Sequence, residues 1–450
     1  MLKSLNKKDI KDVLKLALPA VGEMTLYMMI WVLDTMMVGW YAGDVGVSSV
    51  GLSSEILYTF VNIFIAVGIS VGITSLIARK YGAKDLKAAE EYASLGFFTG
   101  SIIALFILII CFTFSKNILV IAGAKGEILN LGVNYMKIAS IALFFNMLTN
   151  LLNSILRGYG NTKTPLFISA LINVINLVLD YMMIFGVKPF PELGVKGAAL
   201  ATLIAQFCGF ICAITYTIKK SKIKPHFKYI KDMNFARFVK LIKLSIPSSL
   251  QEGAFDISRL ISTFMIMHLG SISFAANQIT TTIESLSFMP GWGFAVAATT
   301  LVGHKVGEKN YEKAKAYADT CAILGALIMG LCGLGFLLFP KFLISLFIHS
   351  SAKDVINLGS ICIMIASVEQ PVMAFSMIYG GALKGMGDTK TPFIVSLISS
   401  WLIRLPLMYY IVYVLKLPVT YVWWVTAVQW TFDGILIIIL FRRKFNKTTV

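Results

Sequence analysis

Acidic residues are scarce in this 450-residue chain: 23 Asp and Glu stand against 40 Lys and Arg, and charged residues of all four kinds make up 14% of it. A soluble domain carries about 25% charge, whereas here the apolar types reach 57%, which excludes an ordinary globular enzyme and a disordered chain. Histidine is rarer still, with four residues and no spacing for a metal site or a catalytic triad. The six cysteines, Cys111, Cys208, Cys212, Cys321, Cys332 and Cys362, all lie in apolar runs without a C-x-x-C pair, so they read as small buried hydrophobes rather than disulfides or metal ligands. No G-x-x-x-x-G-K-[ST] phosphate loop is present. The formal charge of +17 is spread between apolar runs, with no zinc-finger spacing and no aromatic platform for single strands, which argues against a nucleic-acid partner.

What the chain has is length in apolar runs. A membrane span takes about 20 apolar residues, and cutting at charged or Gly/Pro/Asn clusters leaves twelve runs: 13–38, 50–78, 92–115, 133–155, 164–186, 195–218, 240–267, 277–303, 315–339, 356–380, 392–412 and 421–441. The expected fold class is therefore an all-α polytopic membrane protein. Thirty of the 40 basic residues fall in the two termini and the loops on one side; eight fall in the opposite loops and two, Arg259 and Arg404, inside spans. Basic loops stay cytoplasmic, so both termini are predicted to lie in the cytoplasm, and most of the +17 is a signal of orientation.

The chain also repeats itself. Arg157 to Pro165 reads RGYGNTKTP and Lys384 to Pro392 reads KGMGDTKTP, six identities in nine at an offset of 227. Ala78 to Ala93 matches Gly303 to Ala318 at an offset of 225, and Pro19 matches Pro247. Six spans is an even number, so the two copies share one orientation and form a parallel repeat, an architecture suited to alternating access. The sequence thus divides into a six-helix lobe at 1–218, a lysine-rich cytoplasmic linker at 219–239 and a second six-helix lobe at 240–450. In the repeated motif, Thr164 and Thr391 are expected to cap the following helices, with Pro165 and Pro392 at the first helical position.

A carboxylate at mid-bilayer costs about 2.5–3.5 kcal/mol on insertion scales, so an acid inside a span needs a reason. Asp34 lies in span 1; Asp180 lies in span 5, with Asn176 four residues before it and Asn173 three before that, on one helix face. In the second half these positions become Ser262, Leu407, Ile403 and Ser400. Packing need alone would have served both copies, so the asymmetry points to a cation site confined to the first lobe. Two carboxylates and an amide oxygen suit H+ or Na+ and do not choose between them. The second lobe has Glu252, Asp256 and Arg259 on span 7, with Arg259 three residues from Asp256, and Glu284, Glu369, Arg404 and Asp433 elsewhere. Glu369 and Arg404 have no partner along their own helices, which leaves Asp256, Glu369 and Arg404 as candidate second-lobe or substrate contacts.

Twelve spans in two parallel halves, LPAVGEMTLYMMIWVLDTMMVG near the start and the RGYGNTKTP/KGMGDTKTP pair together resemble the multidrug and toxic compound extrusion (MATE) family over essentially the whole chain. The resemblance implies a cation-coupled antiporter that exports bulky, often cationic and lipophilic drugs from the cell across the cytoplasmic membrane, with no cofactor beyond the coupling ion. It is expected to act as a monomer. The family's first-lobe cation site carries over onto Asp34, Asn176, Asp180 and Thr202, and Pro19, fifteen residues before Asp34, onto the proline at which span 1 bends. The second-lobe site of its NorM-type branch carries over poorly: a span 10 tyrosine and aspartate align with Glu369 and Met373, and Asp256 lies one residue out of register with a span 7 glutamate. A lipid-linked glycan flippase of the same superfamily, a polytopic membrane enzyme and a channel are the alternatives. Only Arg259 and Arg404 offer positive charge for a pyrophosphate, the linker holds one acid, Asp232, and a channel would not need the asymmetric acids.

Overall fold

The computed structural model describes residues 6–348 and 352–448, and among them it is helical throughout with no strand. The elements are α1 (Lys7–Phe60), a π-helical stretch (Val61–Ile69), α2 (Ser70–Gly82), α3 (Leu86–Thr113), α4 (Ser115–Ile121), α5 (Gly126–Gly158), α6 (Lys163–Phe185), α7 (Val195–Lys220) and α8 (Lys228–Lys231). They continue with α9 (Phe235–Met267), α10 (Ser271–Gly307), α11 (Tyr311–Leu338), α12 (Pro340–Ser345), α13 (Lys353–Met386) and α14 (Lys390–Leu397). A second π-helical stretch (Ile398–Arg404), α15 (Leu405–Tyr409), a third (Tyr410–Val414) and α16 (Val419–Thr448) complete the chain. Among the described residues eleven helices are long and apolar enough to cross a membrane. The run at 240–267 lies on α9, the twelfth, whose apolarity is diluted by Glu252, Asp256 and Arg259. Lipid is the only solvent in which so many exposed apolar side chains, among them Ile102, Leu331 and Leu402 at 66–70% exposure, are at rest.

The helices form two compact units, Gly22–Ser249 and Met1–Val21 with Leu250–Val450. Two helices thus belong to both: α1 changes unit between Val21 and Gly22, and α9 between Ser249 and Leu250. The two crossings lie 228 residues apart, the spacing of Pro19 and Pro247, each of which sits inside its helix two residues before the crossing.

In the unit Gly22–Ser249, α5 packs against α2, α3 and α7, with Met147, Leu151, Leu152 and Ile155 fully buried. Small residues let the helices approach. Gly96 faces Ile73 and Gly100 faces Leu151, and a methyl group at Gly197 would stand 2.5 Å from the Met183 carbonyl oxygen, so α7 and α6 are nearly in backbone contact there. The segment 221–234 is strapped onto α3: the His226 N–H donates to Ser94 Oγ at 2.8 Å, the Tyr229 hydroxyl to Glu90 at 3.4 Å, and Arg237 pairs with Glu91.

In the other unit α13 packs against α10, α11 and α16. Thr299 Oγ1 donates to the Gly381 carbonyl at 2.8 Å, where the absence of a side chain lets α10 and α13 meet. The first turns of α1 belong here. Val13 and Ala17 are fully buried in the same core as Phe294, Ile378 and Phe441, Lys313 Nζ pairs with Asp9 Oδ1 at 2.6 Å, and the Tyr317 hydroxyl donates to Asp12 at 2.9 Å.

The repeated motif caps its helices differently from the expected pattern. Asn161 Oδ1 accepts the Thr164 N–H at 3.1 Å and Asp388 Oδ1 accepts the Thr391 N–H at 3.0 Å. Asn and Asp side chains reach the backbone N–H three residues on more readily than the threonines between them. The helices accordingly start at Lys163 and Lys390, with Pro165 and Pro392 third rather than first.

Candidate functional site: a buried carboxyl pair

Three helices of the unit Gly22–Ser249 supply the site. α1 brings Asp34, α6 brings Asn173, Asn176 and Asp180, and α7 brings Thr202, all with at most 8% of their surface exposed. The periodicity of α6 lines up its three polar residues, and the Gly197 approach sets Thr202 against them. Asn176 Nδ2 donates to Thr202 Oγ1 at 3.3 Å. Thr202 Oγ1 lies 3.1 Å from Asp34 Oδ2 and 2.9 Å from the Ala198 carbonyl. The carboxyl groups of Asp34 and Asp180 lie within electrostatic reach of each other. Neither oxygen of Asp180, nor Oδ1 of Asp34, receives a hydrogen bond of normal geometry from an N–H or O–H among the described residues.

The arrangement has a chemical consequence. A hydroxyl carries one hydrogen, so Thr202 cannot donate to both Asp34 and its own helix carbonyl. When Asp34 is ionised the hydroxyl serves the carboxylate; when Asp34 is protonated it can give its hydrogen to Ala198 and accept from the acid. Two buried carboxyl groups within electrostatic reach of each other cannot both stand bare as like charges, and sharing a proton or admitting a cation would relieve that. Beside them lies a cavity of about 20 Å³, the space open to the centre of a water molecule, lined by Asp34, Tyr58, Tyr135, Asn146, Thr202 and Gln206 among others. That is room for one small guest with polar partners. Its wall is ordered by the Asn146 amide donating to Gln206 Oε1 at 3.2 Å and by a 3.2 Å hydrogen bond between the Ser54 and Tyr135 hydroxyls.

The other unit places the remaining candidates in two groups. Arg259 Nη2 lies 3.7 Å from Asp256 Oδ1 on α9. Glu369 on α13 is 1% exposed and Glu284 on α10 is 5% exposed, and these two acids and Arg404, at the end of the second π-helical stretch, lie within electrostatic reach of one another. Pro19 interrupts the hydrogen-bond ladder of α1 two residues before that helix changes unit.

Two groups are absent from the expected set. Glu23 Oε1 accepts from Arg157 Nη1 at 3.0 Å and from Asn153 Nδ2 at 3.2 Å, a pair in which both residues are at most 5% exposed. Counting Arg157 as a loop cation hid this pair; the available signal was Glu23 itself, an acid in an apolar run four residues after Pro19. Glu284 was legible as an acid inside span 8, but its partner lies 85 residues away and no local spacing links them.

An all-helical chain of membrane-length helices, with ionisable groups buried in pairs inside them, defines a polytopic membrane transporter. The MatE family model matches residues 19–182 and 247–410, so each half begins at its helix proline. The chain is 32% identical over 420 residues to a probable multidrug resistance protein NorM of Thermotoga maritima, covering 92% of this chain and 88% of that protein. It is 28% identical over 391 residues to the uncharacterized transporter YisQ of Bacillus subtilis, covering 87% and 85%. Among solved structures, it is similar to a MOP superfamily transporter from Pyrococcus furiosus and to an outward-facing multidrug resistance MATE family transporter, each at TM-score 0.91 and 22% identity over 98% of this chain and 97% of the other. The chain belongs to the MATE family of membrane transporters.

Proposed function

We propose that the protein is a multidrug efflux antiporter of the cytoplasmic membrane, exporting lipophilic, often cationic compounds in exchange for H+ or Na+ bound at Asp34 and Asp180. The observation that carries this reading is the pair of buried carboxyl groups within electrostatic reach of each other, three of whose four oxygens lack a hydrogen-bond partner of normal geometry, beside a cavity sized for one small guest. Asn176 and Thr202 complete an oxygen-rich shell suited to a hard monovalent ion. The names of the curated relatives support the substrate class.

The ion couples to the drug through differential affinity for two states, since a ligand shifts an equilibrium only by the difference in its binding to each. Asp34 and Pro19 lie on one helix, and Pro19 removes the N–H that would have bound the carbonyl of Lys15. Bending there is inexpensive. Ion binding at Asp34 and Asp180 bends α1, and the bent state disfavours the drug. Both termini and the segment 219–239 face the cytoplasm in this reading, which rests on the thirty basic residues gathered on that side.

The test is efflux of a cationic dye from proteoliposomes under an imposed pH gradient or Na+ gradient, one at a time. One gradient is expected to drive uphill dye movement. Asp34→Asn and Asp180→Asn are each expected to abolish it while eluting as intact protein from size exclusion, and near-wild-type transport by either variant would refute the site.

A further inference from the structure

The outer face of α7 carries a groove that the carboxyl pair does not use. Phe207, Cys208, Ile211 and Cys212 follow at the i, i+1, i+4, i+5 spacing that sets side chains on one helix face, and they line an open groove of about 530 Å³. Phe207 and Ile211 are 43% and 45% exposed, whereas Thr202 and Gln206 of the same helix are turned into the unit at 8% and 2%. Phe207 is held by an edge-on ring contact with Phe145 of α5 at 5.0 Å. The small cysteine side chains leave room between their larger neighbours, so the stripe is concave rather than flat.

The other end of the groove has a different chemistry. Tyr216, Lys219 and Lys220 line it, so the apolar stripe runs into a hydroxyl and two ammonium groups. A rise of 1.5 Å per residue puts Lys220 about 20 Å along the helix from Phe207, somewhat more than the roughly 15 Å of one hydrocarbon leaflet. Tyr216 Oη accepts from Asn161 Nδ2 at 3.1 Å, which leaves its own hydrogen without an acceptor among the described residues. Lys219 and Lys220 are exposed and join no ion pair among the described residues. From Gly194 to Lys231 the chain has no acid, and Asn161 stands two residues before the exposed Lys163. Glu90 and Glu91 of α3, which meet the strap that follows α7, are occupied by Tyr229 and Arg237. What this end of the groove lacks is negative charge. A lipophilic cation would meet two like charges here, and an apolar helix of a second copy would cover the ammonium groups without a counter-charge.

We propose that this groove binds an anionic phospholipid from the leaflet on the side of the basic loops. One acyl chain lies along Phe207, Ile211 and the two cysteines, and the phosphate is held by Lys219, Lys220 and the Tyr216 hydroxyl. Asn161, which fixes Tyr216, also accepts the Thr164 N–H at the start of α6. The headgroup therefore sits beside the cap of the helix that carries Asn176 and Asp180.

The experiment is native mass spectrometry of the full chain, stripped of lipid in detergent and titrated with phosphatidylglycerol or with phosphatidylcholine of identical chains. One phosphatidylglycerol is expected to bind well ahead of phosphatidylcholine. A lysine at an anionic surface is worth about fivefold in affinity, so Lys219→Gln with Lys220→Gln is expected to weaken that phosphatidylglycerol by about 25-fold and to leave phosphatidylcholine unchanged. Lys116→Gln with Lys137→Gln, exposed lysines outside the groove, controls for loss of charge. Equal weakening by the two pairs, or none by the first, overturns the proposal. Cys212→Trp fills the groove and keeps the lysines; it is expected to abolish the tight binding event, and undiminished binding would place the lipid elsewhere. A phosphatidylglycerol with a diazirine in its acyl chain is expected to label residues 207–216, and labelling confined to other helices refutes the groove. Inorganic phosphate is expected not to compete, and competition would replace the lipid by a free anion. A dimer that Cys212→Trp turns into a monomer would make the groove a seat for a second copy instead. The readout needs no transport, so it stands or falls separately from the function of Asp34 and Asp180. Monodisperse elution of each variant keeps misfolding from imitating a loss.

Discussion

Replacing Thr202 by valine keeps the shape of the side chain and removes one hydroxyl, and it tests the switch at the first carboxyl pair. That hydroxyl is 3.1 Å from Asp34 Oδ2, 2.9 Å from the Ala198 carbonyl and 3.3 Å from the Asn176 amide. Its hydrogen goes to Asp34 only when the acid is ionised, so the substitution penalises the ionised state and not the protonated one. A hydrogen bond to a charged group is worth about 1.5–3 kcal/mol. At 1.36 kcal/mol per pH unit, the midpoint of pH-driven efflux should rise by about one to two pH units. If sodium is the coupling ion, the same loss appears as a Na+ dependence weakened by about 10- to 100-fold. The assay is dye efflux from proteoliposomes over a series of internal and external pH values, with Thr202→Ser alongside. Serine restores the hydroxyl and should restore the wild-type midpoint. A valine variant with an unmoved midpoint, or a serine variant as impaired as valine, refutes the reasoning.

Other substitutions probe what holds this geometry. Arg157→Met removes one partner of a buried ion pair and should cost about 3–5 kcal/mol, read as a lower melting midpoint in detergent; Glu23→Gln added to it should recover part of the loss, since the stranded carboxylate is then gone. Gly197→Ala puts a methyl group 2.5 Å from the Met183 oxygen, so α6 and α7 must part; overpacking should cost about 1–3 kcal/mol and impair ion coupling, whereas Gly335→Ala, with open space around it, should do neither. Asp388 lies outside the spans. Burial raises its carboxyl, but the Lys444 ammonium and the Thr391 hydroxyl and N–H outweigh burial and hold it below the usual carboxylate value. A depressed native value gives stability that is present above the unfolded value and lost as pH falls through the native one. The melting midpoint of wild type should therefore exceed that of Asp388→Asn near neutrality and converge with it below about pH 4.

Much of the fold was legible because the bilayer imposes it. Apolar run length marks the spans, lysine placement marks the loops, and the RGYGNTKTP and KGMGDTKTP turns mark the repeat. Helical periodicity put Asn173, Asn176 and Asp180 on one face before any contact was known, and the structure sets Asp34 and Thr202 against that face. What the pattern could not reveal were partners on different helices. Glu23 meets Arg157 across 134 residues, and Glu284 comes within electrostatic reach of Glu369 where Ser287 and Gln370 fix the packing. The caps at Asn161 and Asp388 were misread for a smaller reason: Thr164 and Thr391 satisfy the same preference, and only the backbone decides which residue stands outside the helix. The passage of α1 and α9 from one unit to the other is marked in the sequence only by Pro19 and Pro247, because each crossing falls inside an apolar run.

That passage bears on how the molecule is made. The turns around Asp9 and Asp12 leave the ribosome well before the groups that fasten them, since Lys313 and Tyr317 follow 304 and 305 residues later. One unit therefore cannot close during synthesis until most of the chain has been inserted, and the opening segment must wait in the bilayer with Val13 and Ala17 uncovered. Cutting the chain between α7 and α9 would likewise not yield two self-sufficient halves. Each piece would carry an opening segment that fits the other and lack the one it needs, the relationship found between protomers that exchange an arm. Co-expressed halves should recover function together, and neither should accumulate alone.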